Sequence, residues 1–271
     1  MECMKSFLER FGLEVKDNPM SNEEFRQFTV DCYNDTEGDL DKEDGIECIL
    51  CKNKGFIQVI EGRYQPYRPC ECMARRDANK KAKQSGLGKY LNKTLDDYIT
   101  DEDWRGRCKR VAEAFIERHA HDDVWFMACG QNGSGKTLLG SIISNTLLTK
   151  KGLSVMYVVW TDFIGEIKRD MMGEKANEVS VRMKEVKNAE VLFLDEVFKE
   201  YNSTDKRYLM EIINYRYTND LKTIITSEKL LNELLDIDEA TFGRAVEKCE
   251  GFMINIPKDR KKDWRLRSIN I

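Results

Sequence analysis

The sequence predicts an α/β fold: a parallel sheet flanked by helices, preceded by a small zinc-binding module and N-terminal helices. Three observations carry that reading. Apolar runs at 124–128, 153–160, 191–194 and 223–227 alternate with helical patterns, as the strands and crossover helices of a parallel sheet do. Between the first run and its helix stands Gly130-Gln131-Asn132-Gly133-Ser134-Gly135-Lys136-Thr137, which fits G-x-x-x-x-G-K-[ST]. Ahead of both, Cys48-Ile-Leu-Cys51 and Cys70-Glu-Cys72 form two close thiol pairs separated by eighteen residues. The expected layout is an acidic helical docking region at 1–47, a metal module with a basic helix at 48–85, and a nucleotide-binding domain at 86–271.

Composition narrows the class. The chain of 271 residues is 34% charged, and no apolar run approaches the ~20 residues that span a bilayer. Nothing at Met1-Glu2-Cys3-Met4-Lys5 resembles a secretion signal, so a cytoplasmic protein without membrane partners is expected. In such a reducing compartment nine cysteines argue for metal rather than disulfides. The net charge of −4 is unevenly spread: residues 1–47 carry five Lys/Arg against fourteen Asp/Glu, leaving a mildly basic remainder. Different partners for the two ends follow.

Taken in order, Phe7, Leu8, Phe11 and Leu13 give one short apolar face, and Ser21 with Glu24 makes a capping box before Phe25 and Phe28. Residues 35–44 are acidic without an apolar period and read as a solvated linker. The stretch from Gly55 to Tyr64 reads as two strands around a Glu61-Gly62 turn, which would bring the cysteine pairs together. Four thiolates leave no open position, so zinc on Cys48, Cys51, Cys70 and Cys72 would be structural. A basic helix is expected from Met73 to Lys83, stopping at Ser85-Gly86, and another from Trp104 to His119. Leu138, Ile142, Ile143, Leu147 and Leu148 mark the helix leaving the glycine loop. Thr161-Asp162 would cap the helix after the second strand, and Lys184-Glu185 a polar approach to the third. Helices are also expected at 208–217 and 230–237, with Arg244 at a turn.

The glycine-rich loop implies a nucleoside triphosphate. Its glycines let several N–H groups converge on one anion, and the helix N-terminus behind them adds partial positive charge. Gly130, Asn132, Gly133, Ser134, Gly135, Lys136 and Thr137 form the expected cradle. Lys136 would reach the β- and γ-phosphates, and Thr137 would hold Mg²⁺. Asp195 and Glu196 end the third strand beside this loop, because ligands of parallel sheets sit at the strands' C-terminal ends. Asp195 would hold Mg²⁺, and Glu196 would polarise the attacking water. Thr226 or Ser227, ending the fourth strand, would sense the γ-phosphate.

With these residues in hand, the chain resembles the DnaC/DnaI-like helicase loaders, especially phage and prophage versions, which are AAA+ ATPases related to the transposition helper IstB. The resemblance rests on the cysteine module running into an Arg/Lys helix and Ser85-Gly86-Leu87. It rests equally on the Walker A loop at 130–137, the Walker B strand at 192–196 and Thr-Ile-Ile-Thr-Ser-Glu at 223–228. It implies an AAA+ P-loop ATPase using ATP and Mg²⁺, whose N-terminal region docks on a replicative DnaB-type hexameric helicase. It further implies that the ATPase domains self-associate around single-stranded DNA. Arg244 matches the arginine finger that reaches a neighbour's γ-phosphate, although Gly243 precedes it where relatives carry Ser. Glu228 likewise stands where many relatives carry Asn.

Phe163, Lys168 and Lys175 are expected DNA contacts. Two other functions compete: an IstB-like regulator of a transposase on duplex DNA, and a non-enzymatic switch organised by ATP binding alone. Preference for duplex DNA would favour the first, and indifference to Glu196→Gln the second.

Overall fold

A computed structural model of the chain describes residues 21–84, 87–118, 123–171 and 176–267. The predicted helix around Phe7 to Leu13, the Ser85-Gly86 stop, His119 and Lys175 lie outside these. The chain separates into two compact units, residues 1–73 and 74–271.

In the first unit, helix α1 (Asn22–Asp35) starts at the expected capping box. The Ser21 hydroxyl accepts from the Glu24 N–H at 3.2 Å, and the Glu24 carboxylate accepts from the Ser21 N–H at 2.8 Å. The acidic stretch is not a solvated linker, as expected, but closes into a short helix, α2 (Leu40–Asp44). Its start is tied down, with the Gly38 N–H donating to Lys52 O at 2.7 Å and the Leu40 N–H to Asn53 O at 3.2 Å. The Leu40 side chain also lies against Gly55.

The hairpin is longer than predicted. Strands β1 (Phe56–Gln58) and β2 (Tyr67–Pro69) pair antiparallel, and Glu61 and Tyr64 bridge across the turn between them. The expected second strand at Arg63-Tyr64 is displaced because Pro66 has no N–H for the ladder, so regular pairing begins only at Tyr67. Helix α3 (Cys72–Gln84) follows from the last cysteine.

The second unit is built on a five-stranded parallel sheet in the order β4-β5-β6-β3-β7. Its chain order is α4 (Asp103–Arg118), β3 (Phe126–Gly130), α5 (Lys136–Lys150), β4 (Val155–Val159), α6 (Trp160–Met171), α7 (Ala176–Asn188), β5 (Val191–Asp195), α8 (Ser203–Thr218), β6 (Lys222–Ser227), α9 (Leu231–Ile237), α10 (Glu239–Cys249) and β7 (Met253–Ile256). Successive strand residues face opposite sides, so each strand feeds two cores. Phe126, Ala128, Phe193 and Ile224 pack with Phe115, Leu139, Ile142, Ile143 and Leu147 from α4 and α5. Met127, Cys129, Leu192, Leu194 and Ile225 pack on the other face with Ile164, Leu209, Ile212 and Phe242.

Three expectations are corrected. Helix α6 begins at Trp160, so Thr161 and Asp162 lie inside it instead of capping it. The polar approach around Lys184 is part of helix α7, whose buried Val179, Met183 and Val186 mark a face hidden among charges. Arg244 sits within α10 and not at a turn; Asp238, whose carboxylate accepts from the Thr241 N–H at 3.0 Å, starts that helix upstream. Strand β7, pairing with β3 at the sheet edge, had no sequence-based expectation.

Candidate functional site

The parallel register brings the predicted residues to one end of the sheet. β3 runs into the glycine loop, and its neighbour β6 ends at Ser227, aligned with Cys129. Beyond β6, β5 ends at Asp195. Gly130 has φ +103°, and a Cβ there would stand 1.9 Å from Ile256 O on β7, so backbone and packing both demand glycine. Gly133, at φ +68°, lies so close to the Asp263 carboxylate that a side chain would collide with it. The loop passes into α5 at Gly135, which directs the first N–H groups of that helix at the loop's concave side.

A cavity of about 590 Å³ opens over this loop, lined among others by Lys136, Thr137, Asp195, Glu196, Thr226 and Ser227. Lys136 is buried, and its Nζ donates to Gly130 O at 2.9 Å and Gln131 O at 2.7 Å. Burial lowers its pKa from the ordinary lysine value. The Ser134 hydroxyl donates to Gln131 O at 2.7 Å, pinning the loop on itself. Asn132 lines a smaller neighbouring cavity with Lys199, Lys229 and Lys258.

Asp195 is engaged at both carboxylate oxygens. Its Oδ1 accepts from the Thr137 hydroxyl at 2.9 Å, from the Thr226 hydroxyl and from the Glu196 N–H at 3.1 Å. Its Oδ2 accepts from the Tyr157 hydroxyl at 2.8 Å. The pair expected to hold Mg²⁺, Thr137 and Asp195, is therefore already in contact. Glu196 adopts φ +56°, a left-handed conformation costly for a side chain of this size. That turn points the chain off the strand end, and the Glu196 carboxylate meets Lys199 Nζ at 3.3 Å.

The sensor candidates separate. Both are buried; Thr226 donates to Asp195, while the Ser227 hydroxyl donates to Val197 O at 2.6 Å. Arg244 does not line this cavity: its Nη1 donates to Ala240 O at 2.9 Å on its own helix. Of the expected DNA contacts, Lys168 is ion-paired with buried Asp205, and Phe163 packs beside Trp160 against the core.

Sequence reasoning missed Tyr157 and the tail residues Trp264 and Arg265, all of which line the cavity. The Trp264 backbone N–H donates to Gly133 O at 2.9 Å, and the Trp264 ring lies 4.4 Å from the guanidinium of buried Arg105. The tail had shown only its charge in the sequence. The near-continuous apolar run at 153–160 had shown Tyr157 only as part of a buried strand.

The four cysteines of the first unit also meet. Their sulfurs all lie within 4.8 Å of one another, with Cys48–Cys70 at 3.7 Å and Cys51–Cys72 at 3.6 Å. A tetrahedron of thiolates ~2.3 Å from zinc has edges of ~3.8 Å, so the donor set fits that metal. The first knuckle is shaped by left-handed Lys52 and Asn53, with the Asn53 side chain accepting from the Cys48 N–H at 2.8 Å. Burial disfavours the Cys51 thiolate, yet the Gly55 N–H at 3.3 Å and the surrounding thiols bring its pKa down to about 7. Burial pushes Cys70 up to about 12.

The chain is similar to several known proteins. The uncharacterized protein YqaM of Bacillus subtilis (strain 168) is 28% identical over 222 residues, covering 73% of this chain and 67% of that protein. The phage-like element PBSX protein XkdC of the same organism is 25% identical over 227 residues, covering 78% and 82%. A crystal structure of the DnaC helicase loader superposes with a TM-score of 0.53 at 26% identity, over 62% of this chain and 99% of that one. The similarity to helicase loaders that the motifs implied is thus present in both sequence and fold. The model of the bacterial DnaA ATPase domain matches residues 94–246, more than half of the chain, which therefore belongs to that ATPase family.

Proposed function

We propose that this protein is an ATP-dependent loader that binds a replicative, DnaB-type hexameric helicase through its N-terminal region and delivers it to single-stranded DNA. One observation carries the reading most: a single chain joins a DnaC-like nucleotide site to a four-cysteine module placed ahead of it. Zinc on Cys48, Cys51, Cys70 and Cys72 would hold that module in shape.

In the nucleotide site, Lys136 exchanges its loop carbonyls for the β- and γ-phosphates of ATP, and the loop N–H groups of 130–135 cradle them. Mg²⁺, when bound, neutralises charge developing on the phosphate oxygens. Thr137 and Asp195 would hold it, and their 2.9 Å contact supports that pairing. Glu196 takes the role of general base, released from Lys199 as it orients water. Ser227 contributes to the γ-phosphate end of the cavity. Arg244, on α10 and away from its own cavity, acts on the nucleotide of a neighbouring copy, so turnover requires self-association.

The test uses the full-length chain immobilised with zinc, or after chelation, and a purified DnaB-type helicase. Zinc-dependent capture of the helicase, together with ATP-dependent affinity for single-stranded DNA, is the expected result. A chain that captures no helicase and prefers duplex DNA would overturn the reading in favour of a transposase regulator.

A further inference from the structure

Asp195 is approached by hydroxyls from three elements: Thr137 on α5, Thr226 on β6 and Tyr157 on β4. The first two share Oδ1 with the Glu196 N–H. Among the described residues, Tyr157 alone reaches Oδ2, at 2.8 Å. Its ring is buried and packs against Phe193 at 5.0 Å between centroids, which fixes where the hydroxyl points. The phenol is the donor in this contact, and the Asp195 carboxylate oxygen accepts. A carboxylate held at both oxygens cannot rotate about its terminal bond. Oδ1 then stays directed at Thr137, where the cation would be held.

We infer that Tyr157 is a positioning residue that sets the magnesium response of the nucleotide site by fixing the second oxygen of Asp195. The inference rests on the nucleotide-site reading given above. Tyr157 removes a rotational freedom that Asp195 would otherwise lose only on binding the cation. Residues that orient metal ligands in this way typically change metal affinity on the order of tenfold or more.

The test is Tyr157→Phe in the full-length chain, which keeps the ring against Phe193 and removes only the hydroxyl. Affinity for a fluorescent ATP analogue is measured in EDTA and then across a magnesium titration. Relative to each chain's own affinity in EDTA, the magnesium concentration giving half the metal-dependent gain should rise on the order of tenfold in Tyr157→Phe. Leu147→Ala supplies the control: it loosens the same core but keeps both the hydroxyl and the Phe193 ring, so it should lower the melting temperature and leave the titration unchanged. An unaltered titration in Tyr157→Phe overturns the role of Tyr157 alone. An unaltered chain whose nucleotide affinity ignores magnesium, or which binds no nucleotide, overturns the nucleotide-site reading and this inference with it.

Discussion

In residues 74–271, strands β3 and β5 are buried at every position and two apolar cores press on the sheet from either face. Residues 21–73 bury only Val30 and three cysteines among their apolar side chains, and they carry seven of the twelve large exposed hydrophobics among the described residues. The larger unit has enough apolar surface to bury on folding. The smaller one does not, and below ~40–60 residues that deficit is usually met by metal, disulfide or partner. Its organising contacts are the thiol tetrad and the polar ties around it, so its stability concentrates in one place where the other's is spread over dozens of side chains.

The largest expected effect tests that contrast directly. Removing zinc, by chelation or by Cys51→Ser, should unfold the first unit, since structural zinc contributes apparent folding free energy of ~10–16 kcal/mol in small zinc peptides. Limited proteolysis should then cut within 21–73, while nucleotide still protects 87–267. Equal protease resistance with and without metal would break the comparison, because the small unit would have a core not evident in its burial.

A second effect sharpens it from the other side. Glu196→Gln should leave both units folded and ATP affinity intact, yet lower turnover by ~10²–10⁴, or about 3–5 kcal/mol of transition-state stabilisation. Assay of phosphate release against nucleotide binding separates the two quantities. Turnover equal to that of the unaltered chain would remove Glu196 from the chemistry and leave an ATP-organised switch.

The contrast also explains what the sequence disclosed. Strands β3 to β6 were legible because buried parallel strands are continuous apolar runs, and the phosphate loop because only glycines fit Gly130 and Gly133. The cysteine tetrad was legible from spacing alone. The hidden parts depend on long-range partners. Strand β7, with only Ile254 and Ile256 buried, is a strand because β3 lies beside it. Helix α2 is ordered by backbone bonds to residues 52 and 53. Lys168 looked like a free cation until Asp205 met it. Tyr157 looked like core until its hydroxyl found Asp195. Local pattern marks which faces are apolar; it does not mark which polar atoms meet across the fold.

The smallest effect examines how far stability in the larger unit is distributed. Lys248 on α10 pairs with Asp123, ahead of β3, and with Asp220 at 2.6 Å, beyond α8. The Lys248 ammonium holds the Asp123 carboxyl below its ordinary pKa, and the two carboxylates raise Lys248 despite its burial. A depressed carboxylate contributes stability above its unfolded pKa and loses it as pH falls through the folded value. A raised lysine contributes below its unfolded pKa and loses it as pH rises through the folded one. The cluster therefore stabilises most across the neutral range and fades in both acid and strong base. Asp123 and Asp220 are well exposed, so solvent screening limits Lys248→Met to a loss of about 1 kcal/mol or less near pH 7. Denaturant midpoints should differ at pH 7 and converge in acid, once Asp123 is protonated in both proteins. A loss of several kcal/mol that persisted in acid would instead mark Lys248 as a packing residue, and would show that this unit too concentrates its stability in one place.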